Sequence, residues 1–230
     1  MKTLFLIPAR GGSKGIPGKN IKQLNGKPLI CHTIDVARGL TEDINICVST
    51  DSEEIKKVVE SYGLNVPFIR PAELATDKAG TEEVIEHAID HFLQSGLRYE
   101  TVVLLQPTSP LRTEGHVKEA LDVYKQKKEM VVSVNLSKAN PYYSLYEENE
   151  GAFLVKSKKG EFNRRQDCPL VYEFNGAIYI FSIDAFKEHG LFGVNMIKYL
   201  MEEKYSIDLD TEIDWVLAEY YMNLVASEQA

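Results

Sequence analysis

The chain of 230 residues is long enough for one domain, or for one domain with an insertion, and its 44% hydrophobic content supports a buried core. Its net charge of −8, from 26 basic and 34 acidic residues, argues against a nucleic-acid-binding track. No apolar run approaches the length of a membrane span and no signal-peptide pattern is present, so neither membrane insertion nor secretion is expected. Three widely spaced cysteines, Cys31, Cys47 and Cys168, predict reduced thiols in a cytoplasmic protein.

Strand-like and helix-like segments alternate along the chain. Apolar runs typical of buried strands occupy residues 3–7, 44–49, 66–69, 101–105, 130–134 and 176–181. Helical periodicity occupies residues 28–37, 53–62, 81–93 and 114–126, and a last helix follows Thr211 with Ile213, Val216, Leu217, Tyr220 and Leu224 as its predicted buried face. This alternation predicts an α/β fold, with a mostly parallel sheet and helices on both faces. Residues 136–175 interrupt the pattern and are predicted to form an inserted β-rich arm within a single domain, residues 1–230.

The loop after the first predicted strand is the most informative stretch of the chain. It is rich in glycine and carries three cations, Arg10, Lys14 and Lys19. Glycines allow the backbone to approach a ligand closely and the cations neutralise charge, so the loop is suited to phosphate groups. The alternative is an ordinary solvated loop. The spacing fits neither a P-loop nor G-x-G-x-x-G, which disfavours an ATPase or a dinucleotide-binding protein.

Polar residues also follow the other predicted strands. Ser49-Thr50-Asp51 follows the second strand, Arg70-Pro71 the third, and residues 106–112 the strand that begins at Thr101. Ligands of open parallel sheets bind beyond the carboxyl ends of the strands. The sequence therefore predicts a ligand site at this edge of the sheet, where these residues and the first loop converge.

Asp208 and Asp210 form a second candidate site near the end of the chain. In an extended segment the two carboxylates lie on one side, while Ile207 and Leu209 face the other. Two carboxylates are suited to Mg²⁺, which takes its remaining ligands from phosphate oxygens and water. The alternative is that Asp210 or Thr211 only caps the last helix.

Six motifs, in order along the chain, resemble those of the acylneuraminate cytidylyltransferases, also called CMP-sialic acid synthetases. The related Kdo cytidylyltransferases have a different first loop, without the Gly-Gly-Ser-Lys run found here. The motifs are Ala9-Arg10-x-x-Ser13-Lys14-Gly15-x-Pro17-x-Lys19-Asn20, Val48-Ser49-Thr50-Asp51, Arg70-Pro71-Ala72-Glu73-Leu74-Ala75, Leu105-Gln106-Pro107-Thr108-Ser109-Pro110-Leu111-Arg112, Asn175-Gly176-Ala177-Ile178-Tyr179 and Ser206-Ile207-Asp208-Leu209-Asp210-Thr211-Glu212.

The resemblance implies a nucleotide-diphospho-sugar-transferase-like (Rossmann-like) core and a homodimer built partly by the inserted arm. It also implies the reaction: CTP and an acidic nine-carbon sugar, a nonulosonic acid, give the CMP-sugar and pyrophosphate with Mg²⁺ as cofactor. Negative charge that accumulates on phosphate oxygens would be stabilised by Mg²⁺ and by the cations of the first loop. No general base is assigned.

The resemblance also assigns roles to individual residues of this chain. The phosphate contacts correspond to Arg10, Ser13 and Lys19, and the positions around the cytidine to Arg70, Ala79 and Thr81. The acid-sugar pocket corresponds to Gln106, Arg165, Asn175, Tyr179 and Phe192, although the residues around Asn175, taken alone, indicate only the start of a strand. The metal ligands correspond to Asp208 and Asp210, and the predicted catalytic residues are Arg10, Lys19, Asp208 and Asp210.

One position departs from the family pattern. Many members have two adjacent aromatic residues at the sugar pocket, whereas this chain has Leu191 followed by Phe192. N-acetylneuraminate, deaminated neuraminate (KDN) and legionaminate therefore all stay open as substrates. A related Kdo-like, legionaminate or pseudaminate transferase and a catalytically inactive nucleotide-binding module are the alternatives, and the presence of Lys19, Asp208 and Asp210 argues against the inactive module.

Overall fold

The computed structural model describes residues 2–13, 15–76 and 80–228. Six of its strands form one central sheet, and the four short strands pair as two separate hairpins. The strands are β1 (Thr3–Pro8), β2 (Gln23–Leu24), β3 (Lys27–Pro28), β4 (Ile46–Ser49), β5 (Thr101–Leu104), β6 (Met130–Leu136), β7 (Tyr146–Glu148), β8 (Leu154–Lys156), β9 (Tyr172–Ser182) and β10 (Met196–Leu200).

The central sheet has the strand order β10-β6-β9-β5-β1-β4 and is mostly parallel. β1 pairs in parallel with β4 and β5, so that Leu6 lies opposite Cys47 on one side and Leu104 on the other. β9 is the exception, because it runs antiparallel to both β5 and β6. The parallel arrangement brings the carboxyl ends of β1, β4 and β5 to one edge.

Helices cover both faces of the sheet, and each face has its own hydrophobic core. The helices are α1 (Leu29–Arg38), α2 (Glu53–Ser61), α3 (Thr81–Gln94), α4 (Glu114–Lys127), α5 (Ile183–His189) and α6 (Glu212–Glu228). Side chains of α1, α2 and α4 pack on one face, and side chains of α3 and α5 pack on the other. The predicted fold class is therefore confirmed. None of the described helices is long and apolar enough to cross a bilayer.

The predicted strand at residues 66–69 is wrong. Only Ile69 pairs with the sheet, through a single parallel bridge to Thr50. Pro67 lacks the backbone N–H that a strand ladder needs, and Pro71 soon follows, so the apolar run cannot extend the pairing. The segment nevertheless places Arg70 beside the end of β4.

The predicted buried face of α6 is also wrong. Ile213, Val216, Leu217 and Tyr220 are exposed, and the helix instead buries Trp215 and Ala218. These two side chains pack in a third core with Ile16, Leu24, Leu29 and Leu209. Because α6 is apolar on most of its circumference, its periodicity alone does not indicate which side faces the protein.

Residues 137–171 leave the central sheet between β6 and β9. They contain the β7–β8 hairpin, whose strands pair antiparallel with Glu147 opposite Val155. Several large apolar side chains of this segment are exposed, and they include Phe153, Leu154 and Leu170. The division of the chain into one domain with an arm at residues 136–175 stays a prediction.

Candidate active site

Polar side chains from several loops meet in a cavity of about 370 Å³ at the carboxyl edge of the parallel strands. This is the edge at which open parallel sheets bind their ligands. Seven of the residues predicted from the sequence line the cavity, namely Arg10, Ser13, Lys19, Arg70, Thr81, Gln106 and Asp210. The structure thus brings together residues that are up to 200 positions apart in the sequence, from Arg10 to Asp210.

The first loop is held in place by contacts with neighbouring segments. The Asn20 side chain donates a hydrogen bond to the Arg10 carbonyl oxygen (3.0 Å), and the Gly11 N–H donates to Asp51 Oδ1 (3.0 Å). A Cβ atom at Gly15 would lie 2.1 Å from the backbone carbonyl oxygen of Asp210. Only glycine fits where the loop touches the segment that carries the two aspartates.

Lys19 joins the first loop to that segment directly. Its ammonium group donates hydrogen bonds to the Leu209 carbonyl oxygen and to Asp210 Oδ1, the latter at 3.1 Å. The Lys19 side chain is only 10% exposed, whereas the Asp210 side chain is 75% exposed. The ion pair therefore places a buried cation behind a carboxylate that faces the cavity.

Asp208 lies next to this pair, on the same side of an extended segment. Leu209 is fully buried while Asp208 and Asp210 are exposed, which is the alternation that the sequence predicts. Asp208 is exposed but is not among the residues that line the cavity, and protein surrounds most of its carboxyl group. This partial burial raises the pKa of the carboxyl group. A hydrogen bond from the Thr108 hydroxyl lowers the pKa in part, and the charge of Asp210 raises it further.

The two aspartates fit the donor set that Mg²⁺ prefers. Both present carboxylate oxygens from one short segment, and the Leu209 N–H anchors that segment by donating to the Thr108 carbonyl oxygen (2.9 Å). Within the described ranges, no group of three or more His, Cys, Asp or Glu side chains could hold a metal alone. Mg²⁺ commonly takes one or two carboxylates and completes its shell with phosphate oxygens and water, so two carboxylates satisfy its needs.

Arg70 forms another wall of the cavity and is almost fully buried. Its guanidinium pairs with Asp51 Oδ1 at 3.4 Å. Burial lowers the pKa of Arg70, and the charge of Asp51 raises it in part. The Nε atom is buried without a hydrogen-bond partner among the described residues. A buried, unpaired donor at a cavity wall is suited to an acceptor atom of a ligand.

Asp51 therefore has a structural role that the sequence did not assign. It accepts hydrogen bonds from the first loop and from Arg70, and so connects two sides of the cavity. The cap of α2 is Ser52, whose hydroxyl accepts from the Ile55 N–H at 3.4 Å. Of the remaining predicted cytidine contacts, Thr81 begins α3 at the cavity, and Ala79 lies outside the described residues.

Gly176 marks the point where the cavity meets the predicted sugar pocket. It has a φ of +70°, and a Cβ atom there would lie 3.2 Å from Gln106 Oε1 and 3.6 Å from Asp208 Oδ2. Tyr179 is buried on the same strand, and burial raises the pKa of its phenol, with a further rise from the charge of Asp208. Gln106 and Asp208 therefore both lie against Gly176.

Phe174 contacts both Phe192 and Tyr179 and so connects them, although the sequence carries no functional signal for Phe174. Phe174 stacks on Phe192 with ring centroids 6.3 Å apart and planes inclined by 17°. Phe174 also packs edge-to-face against Tyr179, again with centroids 6.3 Å apart. No sequence signal links Phe174 to Phe192, because their contact depends on how β9 and the segment after α5 pack.

Asn175 is close to the cavity, but its side chain is occupied by protein atoms. Its amide oxygen accepts hydrogen bonds from the Ser133 hydroxyl (2.6 Å) and the Ala177 N–H (3.2 Å). Its amide nitrogen donates to the Ser206 hydroxyl (3.0 Å), two residues before Asp208. This buried network positions the Asp208 segment against β9 and β6.

Arg165 does not line the cavity. It is exposed on the segment between β6 and β9, where its guanidinium donates to the Ser137 carbonyl oxygen at 3.4 Å. Its predicted contact with the acid sugar stays a prediction. By contrast, Arg112 is fully buried behind the site and donates to the carbonyl oxygens of Gln106 (3.1 Å) and Ala177 (2.7 Å). Burial lowers the pKa of Arg112 to about 9.

The protein has an α/β fold with a cavity at the carboxyl edge of its parallel strands, and this cavity is lined by cations and by the Asp210 carboxylate. Residues 4–229 match the family model described as Cytidylyltransferase. The chain belongs to the cytidylyltransferase family, and the predicted enzyme class, nucleotidyltransferase, is confirmed.

Individual relatives and a solved structure agree with this assignment. The chain is 38% identical over 229 residues to the CMP-N,N'-diacetyllegionaminic acid synthase of Legionella pneumophila, with 97% of each chain covered. It is 36% identical to an N-acylneuraminate cytidylyltransferase of Streptococcus agalactiae, over 94% of this chain and 52% of that protein. The predicted resemblance is thereby confirmed. The structure of CMP:2-keto-3-deoxy-manno-octonic acid synthetase complexed with CTP has the same fold, with a TM-score of 0.71, 16% identity and coverage of 97% and 99%.

Proposed function

We propose that this protein transfers CMP from CTP to the anomeric hydroxyl of a nonulosonic acid and releases pyrophosphate, in a reaction that depends on Mg²⁺. The observation that carries the proposal is the cavity itself, in which Arg10, Lys19 and Asp210 meet Arg70 and Gln106. The names of the relatives point the same way, because they are synthases of CMP-legionaminic acid and cytidylyltransferases of acylneuraminate.

Charge on the triphosphate explains why the cations are needed. Attack of the sugar hydroxyl on the α-phosphorus increases negative charge on the non-bridging and leaving oxygens. Lys19 and Arg10 come from a loop that hydrogen bonds hold in place before the substrate binds, so their stabilisation costs little rearrangement. Bound Mg²⁺, held by Asp208 and Asp210, would neutralise phosphate charge and orient the triphosphate.

The two substrates would occupy neighbouring parts of the same cleft. The nucleotide would lie along the first loop and Arg70, with Thr81 at its base end, as the resemblance implies. The acid sugar would lie beyond Gln106, near Tyr179 and Phe192. Gly176, which has no side chain between Gln106 and Asp208, keeps the passage between the two parts open.

A homodimer is part of the proposal. The segment between β6 and β9 exposes Phe153, Leu154 and Leu170, and α6 exposes Ile213 and Val216. Large exposed apolar groups are costly in water unless a partner covers them. A second copy of the chain would cover the segment, and Arg165 lies on that segment.

We place the enzyme in the cytoplasm. All three cysteines are free thiols, and all three are buried. Free thiols are typical of proteins in reducing compartments.

The decisive experiment is an assay of pyrophosphate release with CTP, MgCl₂ and a panel of nonulosonic acids. We expect CMP-sugar formation with CTP, at a rate at least about tenfold above that with UTP or ATP, and none after chelation of the metal. The Lys19→Met variant should lose about a hundredfold in kcat. Lys22→Met is the matched control, because Lys22 lies three residues away and pairs with Glu212 at the surface.

Equal turnover of UTP and CTP would contradict the proposed nucleotide. Full activity in the presence of excess chelator would contradict the role of Mg²⁺. A chain that forms no CMP-sugar from any acid of the panel would contradict the proposed reaction as a whole.

A further inference from the structure

The stacked pair Phe174 and Phe192 presents an aromatic surface to solvent beside the cavity. The two side chains are 47% and 55% exposed although they contact each other. A pair that only stabilised the fold would gain more by burying these faces. The exposed ring faces are therefore available for contact with a ligand.

The aromatic pair is connected to the candidate active site through Tyr179. Phe174 contacts Tyr179 edge-to-face, and the negative charge of Asp208 contributes to the raised pKa of the Tyr179 phenol. Phe174 is also two residues before Gly176, which touches the space between Gln106 and Asp208. The aromatic pair is therefore connected to the Gln106 and Asp208 part of the site through Tyr179 and through the start of β9.

A second connection links this surface to the nucleotide side. The Leu191 N–H, immediately before Phe192, donates to Glu82 Oε1 at 2.7 Å. Glu82 follows Thr81 in the first turn of α3, and Thr81 lines the cavity. The backbone position of Phe192 is therefore held by the helix that begins at the cavity.

Leu191 itself takes no part in this surface. Its side chain is buried in the core with Phe186 and Tyr179, and is 2% exposed. Phe174 of β9 instead supplies the second ring beside Phe192, from a distant position in the sequence.

We infer that Phe174, together with Phe192, binds the apolar substituents of the acid sugar and selects sugars that carry acylamino groups or deoxygenated carbons. The inference rests on the proposed function. Acyl methyl groups and deoxygenated carbons bury apolar area against an aromatic face, whereas a chain that carries only hydroxyls would lose hydration there without a hydrogen-bond partner. KDN, which has hydroxyls in place of the acylamino groups, is thus the disfavoured substrate.

The test compares kcat/KM for three sugars, N,N'-diacetyllegionaminate, N-acetylneuraminate and KDN, at saturating CTP. For the wild type we expect this order, from best to worst, with at least about a tenfold range between the extremes. Phe174→Ala should lower kcat/KM for the diacetylated sugar by about tenfold and change that for KDN by less than about threefold. The KM for CTP should be unchanged, because Phe174 does not line the nucleotide cavity.

Two further variants make the test specific. Phe174→Leu keeps apolar bulk and should retain most of the difference in kcat/KM between the diacetylated sugar and KDN. If Phe174→Ala does not fold, the sugar preference of Phe174→Leu tests the inference instead. Ile44→Ala removes an apolar side chain that is 61% exposed and lies away from the site, and it should leave kcat/KM for all three sugars unchanged.

A uniform loss for all three sugars in Phe174→Ala would overturn the inference and assign Phe174 a structural role. A wild type that prefers KDN would overturn it as well. In both cases CMP transfer remains, so the proposed function stands. No CMP-sugar from any of the three acids would instead remove the proposed function, and the inference with it.

Discussion

The carboxyl edge of the sheet and the segment between β6 and β9 differ in how their surface side chains are supported by the rest of the chain. At the edge, charged groups that line the cavity are held by contacts within the chain: the exposed Asp210 pairs with the buried Lys19, and Asp51 holds both the first loop and Arg70. In the segment, Phe153 and Leu154 are about 70% exposed, and they lie on the β7–β8 hairpin outside the central sheet.

The difference shows two kinds of incomplete surface. The edge is preorganised, because hydrogen bonds hold its polar groups in position. A small anionic ligand would be enough to supply the interaction partners that these groups still lack. The segment exposes several large apolar side chains, and a small ligand cannot cover all of them. A second protein surface can, because association buries apolar area over many residues at once.

The largest expected effect is at the edge, in the variants Asp208→Asn and Asp210→Asn. Each should lower kcat by about a hundredfold or more. The loss of one carboxylate weakens the binding of Mg²⁺, and this ion stabilises the negative charge that develops in the transition state. Mg²⁺-dependent pyrophosphate release measures the loss. Glu212→Gln is the control, since Glu212 is in the same stretch but pairs with Lys22 at the surface.

The competing interpretation of these aspartates is that they only cap α6. The structure gives that role to Thr211, whose hydroxyl accepts a hydrogen bond from the Asp214 N–H (3.3 Å). The Asp214 carboxylate in turn accepts from the Thr211 N–H (2.7 Å) and the Asp210 N–H (3.2 Å), which completes a capping box. If Asp208→Asn and Asp210→Asn kept near-normal kinetics and lost only about 1 kcal/mol of stability, the metal assignment would be wrong.

The second prediction concerns the segment between β6 and β9. The double variant Phe153→Asp and Leu154→Asp should weaken a dimer by at least about tenfold, because charges in an apolar interface lose hydration without a partner. Sedimentation at micromolar concentration measures the change. The fold of each subunit should survive, since neither side chain belongs to a core cluster.

Ile44→Asp provides the matched control for the segment. Ile44 is 61% exposed and lies outside the segment, so its replacement should leave the association unchanged. A wild type that sediments as a monomer would contradict the proposed homodimer. A double variant that still forms the dimer would show that the partner covers another surface, of which the outer face of α6 is the first to examine.

The smallest expected effect is on stability, and it arises at the edge. Partial burial raises the pKa of Asp208 in the folded protein, so the folded state binds more protons than the unfolded state between the two pKa values. Stability is therefore lost as the pH rises through this window. Without Mg²⁺ or CTP, Asp208→Asn should raise the thermal midpoint at pH 8 and have little effect on it near pH 3.

The control for this prediction is again Glu212→Gln, which removes a carboxylate that is paired with Lys22 and should not raise the midpoint. A lower midpoint for Asp208→Asn at pH 8 would show that the carboxylate stabilises the fold. The expected result, higher stability with lost activity, is the pattern of a carboxylate kept for function.

The two sides of the molecule also differed in how well the sequence predicted them. Five of the six central strands were predicted to within a few residues, because buried strands appear as apolar runs and parallel sheets alternate with helices. The edge strand β10 was not predicted. The strand at residues 66–69 failed because the apolar run contains Pro67, which interrupts the ladder. The convergence of Arg10 and Gln106 on one cavity followed from the parallel direction of β1 and β5, whereas Arg70 reaches the cavity from a segment with a single bridge to the sheet.

The sugar side could be predicted only in part. Gln106 and Tyr179 were named from the resemblance, but Asn175 has its amide committed to protein atoms and Phe174 went unnoticed. Phe174 is at the start of β9, where an aromatic residue indicates a strand and nothing more. Its contact with Phe192 depends on the fold, because Phe192 comes from the segment after α5.

The sequence by itself determined the α/β architecture, the glycine-rich cationic loop and the side of the chain on which Asp208 and Asp210 lie. These are local properties, because period, glycine placement and alternation act over a few residues. Tertiary structure alone decided that α6 buries Trp215 and Ala218, and that Phe174 meets Phe192. Where several faces of an element are equally apolar, the face that is buried depends on which partner fits it, and that partner is set by the packing of the whole chain.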